Sequence, residues 1–196
     1  MSPILGILAS SNYQRATSSY YSIATTTVGS GGASSVSFTS IPSTYTHLQI
    51  RWIGATNRAS YNDDLVLRIN GVTTSSYNDH RMYGNGSTVT SGRDTGTTMY
   101  VAAQGLGSTG AGANTFGVGV MDILDYTDTN KYKTLRTLAG LNYNTADTSG
   151  SYGQITLQSG FLTSTTNAIT QIDFLSATSS SFLQYTQFAL YGIKGA

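Results

Sequence analysis

Runs in which every second residue is apolar recur along most of the chain, and this pattern limits the fold more than any other feature of the sequence. Successive side chains of a β-strand point to opposite faces of a sheet, so a period of two predicts strands with one apolar face. We find no stretch with the 3.6-residue spacing of an amphipathic helix. The pattern predicts about ten short strands, at 21–28, 36–38, 48–52, 65–69, 99–103, 116–120, 135–141, 155–161, 172–174 and 188–190.

Turn-forming sequences separate these runs, among them GSGG at 29–32, Asn70-Gly71 and Asn85-Gly86. Glu is absent and Lys occurs at only three positions, so the strongest polar helix formers are nearly missing. Without helices to cover parallel crossovers, the strands must pack as antiparallel sheets. We therefore predict an all-β fold, an antiparallel β-sandwich with a jelly roll as the preferred topology and a simpler sandwich as the alternative.

The N-terminal segment departs from the strand pattern. Apolar residues at its start precede the polar stretch SSNYQRATSS, which has no means of burying them: Ile4, Leu5, Ile7 and Leu8. Burying four such side chains outweighs the ordering of the backbone only if strand hydrogen bonds are added. We therefore predict an extended arm over 1–19 in which residues 3–9 pair with a partner, followed by a single β-sandwich domain over 20–196. The alternative is a disordered terminus.

A second departure is the polar segment 73–96, which is long for a connection inside a compact domain. Loops of this length are usually functional or mobile. The sequence predicts a loop here, and it does not divide the chain into two domains.

The charge pattern argues against two classes of partner. The formal net charge is +1 and the Arg residues are scattered, so there is no basic stripe for nucleic acid. No window approaches the roughly 20 apolar residues of a membrane-spanning helix, and MSPILGILAS lacks the basic leader of a secretory signal. We expect neither nucleic-acid binding nor membrane insertion, and assembly in a cytoplasm.

Residues for catalysis or metal binding are few. The two His are His47, at a strand entry, and His80, whose neighbours Asp79 and Arg81 would diverge in an extended segment. The sequence G-x-S-x-G does not occur. With no Cys there are no disulfides or thiolate metal sites, and the Asp residues of DILDYTD match no calcium-loop spacing. We predict no catalytic, cofactor-binding or metal site.

Two stretches have the composition of a binding surface: GATNRASYNDD at 54–64 and SSYNDHRMYGNG at 75–86. Their Asn, Asp, Arg, His and Tyr side chains offer planar hydrogen bonding and stacking to a glycan or protein ligand. The competing interpretation is that Tyr is common in this chain and Asn-Gly is simply good turn chemistry. The candidate contact residues are Tyr61, Asn62, Tyr77, Asp79, His80, Arg81 and Tyr83.

Glycine placement in NTFGVGVMDIL indicates close packing. Gly117 and Gly119 alternate with Phe116, Val118 and Val120, so one face of this strand has almost no side chains. Another sheet layer, a neighbouring subunit or the chain's own arm must approach that face closely. Strands such as SVSFTS and GQITLQS also lack protective charge, which is typical of edges that a partner covers.

Several sequence elements together resemble small β-rich virion proteins of tailed bacteriophages, especially those of marine and cyanobacterial hosts. The elements are SIATTTVGSGGASSVSFTSIPSTYTHLQIR, TNRAS, LRING, YNDHRMYGNG and the terminal FALYGIKG. The resemblance implies a non-enzymatic particle component with a β-sandwich or jelly-roll body that forms a homo-oligomer, with a trimer favoured. Such modules are capsid decorations, head fibres or tail pieces in the virion, and some contact the host surface.

The expected function is therefore that of a bacteriophage structural protein that oligomerises and docks on a capsid or tail protein, needing no cofactor. The alternative is a tail adhesion module that binds a host receptor or a surface glycan.

Overall fold

The computed structural model describes residues 19–144, 146–147 and 150–194, and their regular structure is almost entirely β. Within these ranges the regular elements are twelve strands and one 3₁₀ turn, Thr109–Ala111. The strands are β1 Tyr20–Thr27, β2 Ser35–Phe38, β3 His47–Thr56, β4 Asn62–Ile69, β5 Tyr77–Gly84, β6 Val89–Thr97, β7 Tyr100–Ser108, β8 Gly117–Ile123, β9 Lys133–Asn142, β10 Gly153–Leu162, β11 Ile172–Ser176 and β12 Gln187–Ile193. The all-β prediction is confirmed, and all ten predicted strands are among the twelve.

Eight of the strands form a jelly roll. Strand β1 pairs with β12, β2 with β11, β3 with β8 and β4 with β7, all antiparallel. In this nested pattern the chain forms one long hairpin that is rolled up, as in a jelly roll. Rolling brings β12 beside β3 and β11 beside β4, so the two sheets have the strand orders β1-β12-β3-β8 and β2-β11-β4-β7. The preferred topology is therefore confirmed. A short parallel contact between β3 and β7, at Ala55–Gly107, links the two sheets.

The other four strands are two inserted hairpins that widen only one of the sheets. Strands β9 and β10 follow β8, and β5 and β6 lie between β4 and β7 in the chain. In space they continue the first sheet as β8-β9-β10-β5-β6. The result is an eight-stranded large sheet and a four-stranded small sheet.

The prediction of a loop over 73–96 is wrong, because most of this segment is the β5–β6 hairpin. Its turn is the Asn85-Gly86 sequence, where the Asn85 side chain accepts hydrogen bonds from the backbone N–H groups of Ser87 and Thr88. The hairpin lies at the edge of the large sheet, and β6 buries no side chain. Since it contributes little to the core, its sequence lacks the apolar alternation that would have predicted strands.

The core lies between the two sheets. Strands β3 and β4 bury their alternating apolar residues, as the sequence predicts, and three aromatic rings meet at the centre. Phe174 stacks on Phe188 with ring centroids 4.6 Å apart, and Phe182 approaches Phe188 edge-on at 5.3 Å. Each fully buried side chain of this size contributes about 1.5–3 kcal/mol to stability.

The glycines of β8 lie where the domain packs most tightly. A Cβ atom at Gly119 would overlap the ring of Trp52 on the neighbouring strand β3, and one at Gly117 would overlap the Gly105 carbonyl of β7. The predicted close approach is thus confirmed, and it comes from within the domain. Three alternatives were open: another sheet layer, a neighbouring subunit or the chain's own arm. At Gly117 the close neighbour is the other sheet of the sandwich, and at Gly119 it is the Trp52 side chain of the same sheet.

Candidate functional site

The face of the large sheet that points away from the core carries a continuous apolar surface. Leu157 on β10 lies directly opposite Leu138 on β9 and Met82 on β5, and Leu138 lies opposite Val120 on β8. Leu138, Leu157 and Met82 are each about half exposed, at 47%, 46% and 50%. We call this surface the outer patch; its residues are Ile53, Met82, Val118, Val120, Leu138, Ile155 and Leu157.

Two of the predicted strands, β8 and β10, turn apolar residues toward the outer patch and not toward the core. A period of two tells which residues share a face, but it does not tell which face is buried. In β8 and β10 the apolar residues Val118, Ile155 and Leu157 face solvent. Two inward positions of β10 are instead polar, since Thr156 and Gln158 are buried, and apolar burial returns only at Leu162.

Charged side chains border the outer patch at one end. Arg136 on β9 donates to Asp122 on β8 at 2.9 Å, and Gln49 donates to the other oxygen of Asp122 at 2.9 Å. Burial alone would raise the pKa of Asp122, but these two hydrogen bonds outweigh it and hold the pKa below its ordinary value. His80 and Arg93 lie opposite each other farther along the same sheet and are exposed. The border therefore carries both signs of charge.

The seven predicted contact residues fall into two groups. Tyr61 and Asn62 lie at the start of β4, where the Asn62 amide donates to the Tyr143 hydroxyl at 3.1 Å and the Tyr61 ring lies 5.7 Å from that of Tyr143. The other five, Tyr77, Asp79, His80, Arg81 and Tyr83, all lie on β5. The structure thus brings residues of the second stretch together on one strand rather than on a loop.

Alternation along β5 separates these five residues onto opposite faces. His80 is exposed on the outer face, whereas Arg81 and Tyr83 are half-buried on the inner side. The assignment of Tyr77 and Asp79 as surface contacts is wrong, because both side chains point inward and are buried. The Tyr77 hydroxyl accepts the backbone N–H of Ile69 at 2.9 Å, so its role is to hold the β4–β5 connection.

Carboxylates surround Arg81 on the inner side of the hairpin. Its guanidinium lies 3.4 Å from Asp79 and also donates a short hydrogen bond to Asp94. Gln158 donates to the same oxygen of Asp79 at 2.9 Å, while the second oxygen of Asp79 has no partner, and burial raises the pKa of Asp79. Burial and the nearby Asp63 raise the pKa of Asp64 to about 6, against the opposing effect of Arg58 and Arg81. Asp64 therefore takes up a proton in mildly acidic conditions.

Two further carboxylates, Asp125 and Asp128, are paired with a lysine. Lys131 lies 2.8 Å from Asp125 and 3.2 Å from Asp128.

Within the described ranges, no group of three or more His, Asp or Glu side chains is placed to hold a metal ion. The same ranges contain no helix with the length and apolarity that a membrane crossing would need. The predicted docking residues Ile4, Leu5, Ile7 and Leu8 lie outside the described residues.

A cleft of about 770 Å³ opens at the other end of the outer patch. Three segments that are far apart in the sequence line it: the Asn85-Gly86 turn, the loop 114–116 before β8, and the facing ends of β9 and β10 with Tyr152. We call it the end cleft. The sequence does not predict this cleft, because Asn85-Gly86 indicates only a turn and because Asn114 and Tyr152 lie far from it and from each other in the sequence.

Comparison of the chain with protein-family models, with curated proteins and with solved structures found no match.

Proposed function

We propose that this chain is a non-enzymatic structural subunit of a bacteriophage particle that acts by packing against copies of itself and against a capsid or tail protein. The observation that carries the proposal is the outer patch, an apolar sheet face that the described part of the chain leaves exposed. Soluble monomers rarely expose contiguous apolar surface beyond a few hundred Å², and larger patches mark interaction sites. The sequence resemblance supports the placement in a virion.

The size of the outer patch fits one side of a stable interface. Completing the burial of its half-exposed aliphatic side chains would remove roughly 300–500 Å² of apolar surface from water. A standard interface buries about 800 Å² per partner, of which a little over half is apolar. The patch therefore supplies most of the apolar area that one partner contributes.

The occupant we propose for the outer patch is a second copy of the chain. The border of the patch carries Asp122 as well as Arg136 and Arg93, so a second copy finds both signs of charge there, although each border keeps a small net positive charge. The formal net charge of +1 likewise opposes self-association very little. Two copies that meet through the same face form a two-fold dimer, whereas in the trimer that the resemblance implies the outer patch would contact a different surface of the next copy.

Sedimentation velocity over a range of protein concentrations tests this interface. The wild-type chain should associate, and Leu138→Ser or Leu157→Ser should raise the dissociation constant roughly three- to tenfold, since each removes a half-buried leucine from the interface. Leu124→Ser is the matched control, because Leu124 is 53% exposed but lies outside the outer patch. A wild-type chain that stays monomeric, or a Leu124→Ser variant that is equally impaired, would contradict the proposal.

The virion role has a separate test. Mass spectrometry of purified phage particles should find the chain as a stoichiometric component, and labelled antibodies should place it on the head or the tail by electron microscopy. Its absence from particles, with the chain recovered only from the lysate of infected cells, would reject the assignment.

A further inference from the structure

The end cleft is lined by neutral groups. Among the described residues that form it, none has a charged side chain. Five carboxamides contribute to its walls and rim: Asn85, Asn114, Asn142, Asn144 and Gln154. Asn85 already uses its oxygen to accept from Ser87 and Thr88, and Asn144 uses an amide hydrogen on Ala113, so Asn85 offers donors and Asn144 chiefly its acceptor oxygen. A carboxamide such as that of Asn114 or Asn142 places an acceptor oxygen next to two donor hydrogens, an arrangement that pairs with adjacent hydroxyl groups. A ligand recognised through phosphate, sulfate or carboxylate would instead need a cationic partner, such as an arginine fork.

The floor of the end cleft is apolar, and few side chains rise from the sheet there. Ile155 lies between Gly84 and Gly140 on the neighbouring strands, so a single large side chain is flanked by two positions without one. Space beside Gly140 is open, since an added Cβ there would contact only the Gln154 carbonyl, at 3.8 Å. Phe116 and the exposed Tyr152 stand at the sides. Aromatic rings of this kind pack against apolar C–H surfaces, such as one face of a pyranose ring.

The loops around the end cleft are tied to one another. The Ser151 hydroxyl donates to the Asn85 carbonyl at 3.2 Å, which joins the β9–β10 connection to the β5–β6 turn. The Asn144 side chain donates to the Ala113 carbonyl at 3.1 Å, and its backbone N–H donates to Ala111 at 2.9 Å. The cleft is therefore formed before any ligand arrives, which reduces the ordering cost of binding.

From this combination we infer that the end cleft binds a neutral oligosaccharide. Its volume of about 770 Å³ lies within the range of roughly 300–1,000 Å³ that holds ligands larger than one sugar ring. The carboxamides would hydrogen-bond vicinal hydroxyls, and Tyr152 and Phe116 would cover the apolar side of a ring. The cleft shares Val118 and Ile155 with the outer patch, but glycan binding is measured separately from self-association, so the two proposals can fail independently.

The test is a panel of immobilised neutral oligosaccharides containing hexoses and N-acetylhexosamines, with sulfated and sialylated glycans beside them. Binding to at least one neutral member is expected. Titration of that glycan into the ¹⁵N-labelled wild-type chain should shift the amide signals of Asn85, Asn114 and Tyr152. Tyr152→Ala should weaken its affinity at least tenfold, whereas the matched control Tyr132→Ala, also an exposed tyrosine but outside the cleft, should not.

Asn114→Gly provides a second variant. Asn114 has a φ of +61°, which glycine adopts readily, so this change removes the carboxamide and keeps the loop. It too should weaken binding. Binding of anionic glycans only, no binding at all, or neutral-glycan binding that neither variant alters would each overturn the inference. None of these outcomes would decide whether the chain self-associates through the outer patch, because the sedimentation experiment tests that separately.

Discussion

Replacing Asp64 by asparagine should stabilise the protein at neutral and alkaline pH and leave it unchanged near pH 4. The pKa of Asp64 is raised from 3.8 to about 6, first by burial and then by the charge of Asp63. A carboxyl whose pKa is higher in the folded than in the unfolded state binds its proton more tightly when folded. The stabilisation that comes from the bound proton is therefore complete below pH 3.8, and it is lost as the pH rises through 6 and the carboxyl ionises.

The magnitude follows from the same two pKa values. Each pH unit between them corresponds to about 1.36 kcal/mol, so ionising Asp64 costs the folded state about 3 kcal/mol, or roughly 2 kcal/mol once its partial exposure to water is allowed for. The Asp64→Asn side chain has the same shape and no charge to desolvate. The variant should therefore exceed the wild type by about 2 kcal/mol at pH 8 and match it at pH 4.

Urea unfolding followed by tryptophan fluorescence measures this difference, since Trp52 is the single tryptophan and is buried. Protomer concentration must be the same in every sample, because self-association adds to apparent stability. Asp128→Asn serves as a control of opposite sign: a backbone hydrogen bond from Asn130 and the nearby Lys131 lower the pKa of Asp128, so its neutralisation should cost stability at pH 8 and not at low pH. Equal pH dependence of wild type and Asp64→Asn would refute the reasoning.

Two further predictions concern the packing of β8 and the N-terminal segment. Gly119→Ala should destabilise the fold by about 1–3 kcal/mol or more, because the new Cβ would overlap the Trp52 ring, and Gly140→Ala, with open space beside it, should have little effect in the same thermal unfolding assay. Deleting residues 1–12 should reduce incorporation into phage particles, as measured by mass spectrometry, because residues 3–9 are predicted to pair with a partner; unchanged incorporation would reject that role.

The fold could be predicted from the sequence because the jelly-roll body has a buried face on nearly every strand. In β3, alternation of Leu48, Ile50 and Trp52 with polar residues reports the inward face directly. In β5 and β6 no such signal exists, since these strands are held mainly by backbone pairing with each other and with β10. Only the Asn85-Gly86 turn could have indicated a hairpin there.

The candidate site was harder to predict, for two reasons. The outer patch has the same period-two sequence as a core-facing strand, so Ile155 and Leu157 look like core residues until β10 is placed in the sheet. The end cleft forms only when strand order brings Asn85, Asn114 and Tyr152 to one end of the large sheet. Residues that are neighbours in sequence, such as Asp79 and His80, were separated by the pleat instead.

The pairing of β1 with β12 also has a consequence for biosynthesis. Strand β1, YYSIATTT, carries no charged residue, and its partner β12 is about 160 residues farther along the chain. At about 5–20 residues per second, a ribosome needs roughly 10–30 s to make the intervening chain. During that time the backbone N–H and C=O groups of β1 have no β12 to pair with, and they can pair instead with β1 of another nascent chain on the same polysome. Dense translation of this chain should therefore favour aggregation of nascent molecules unless a chaperone shields β1.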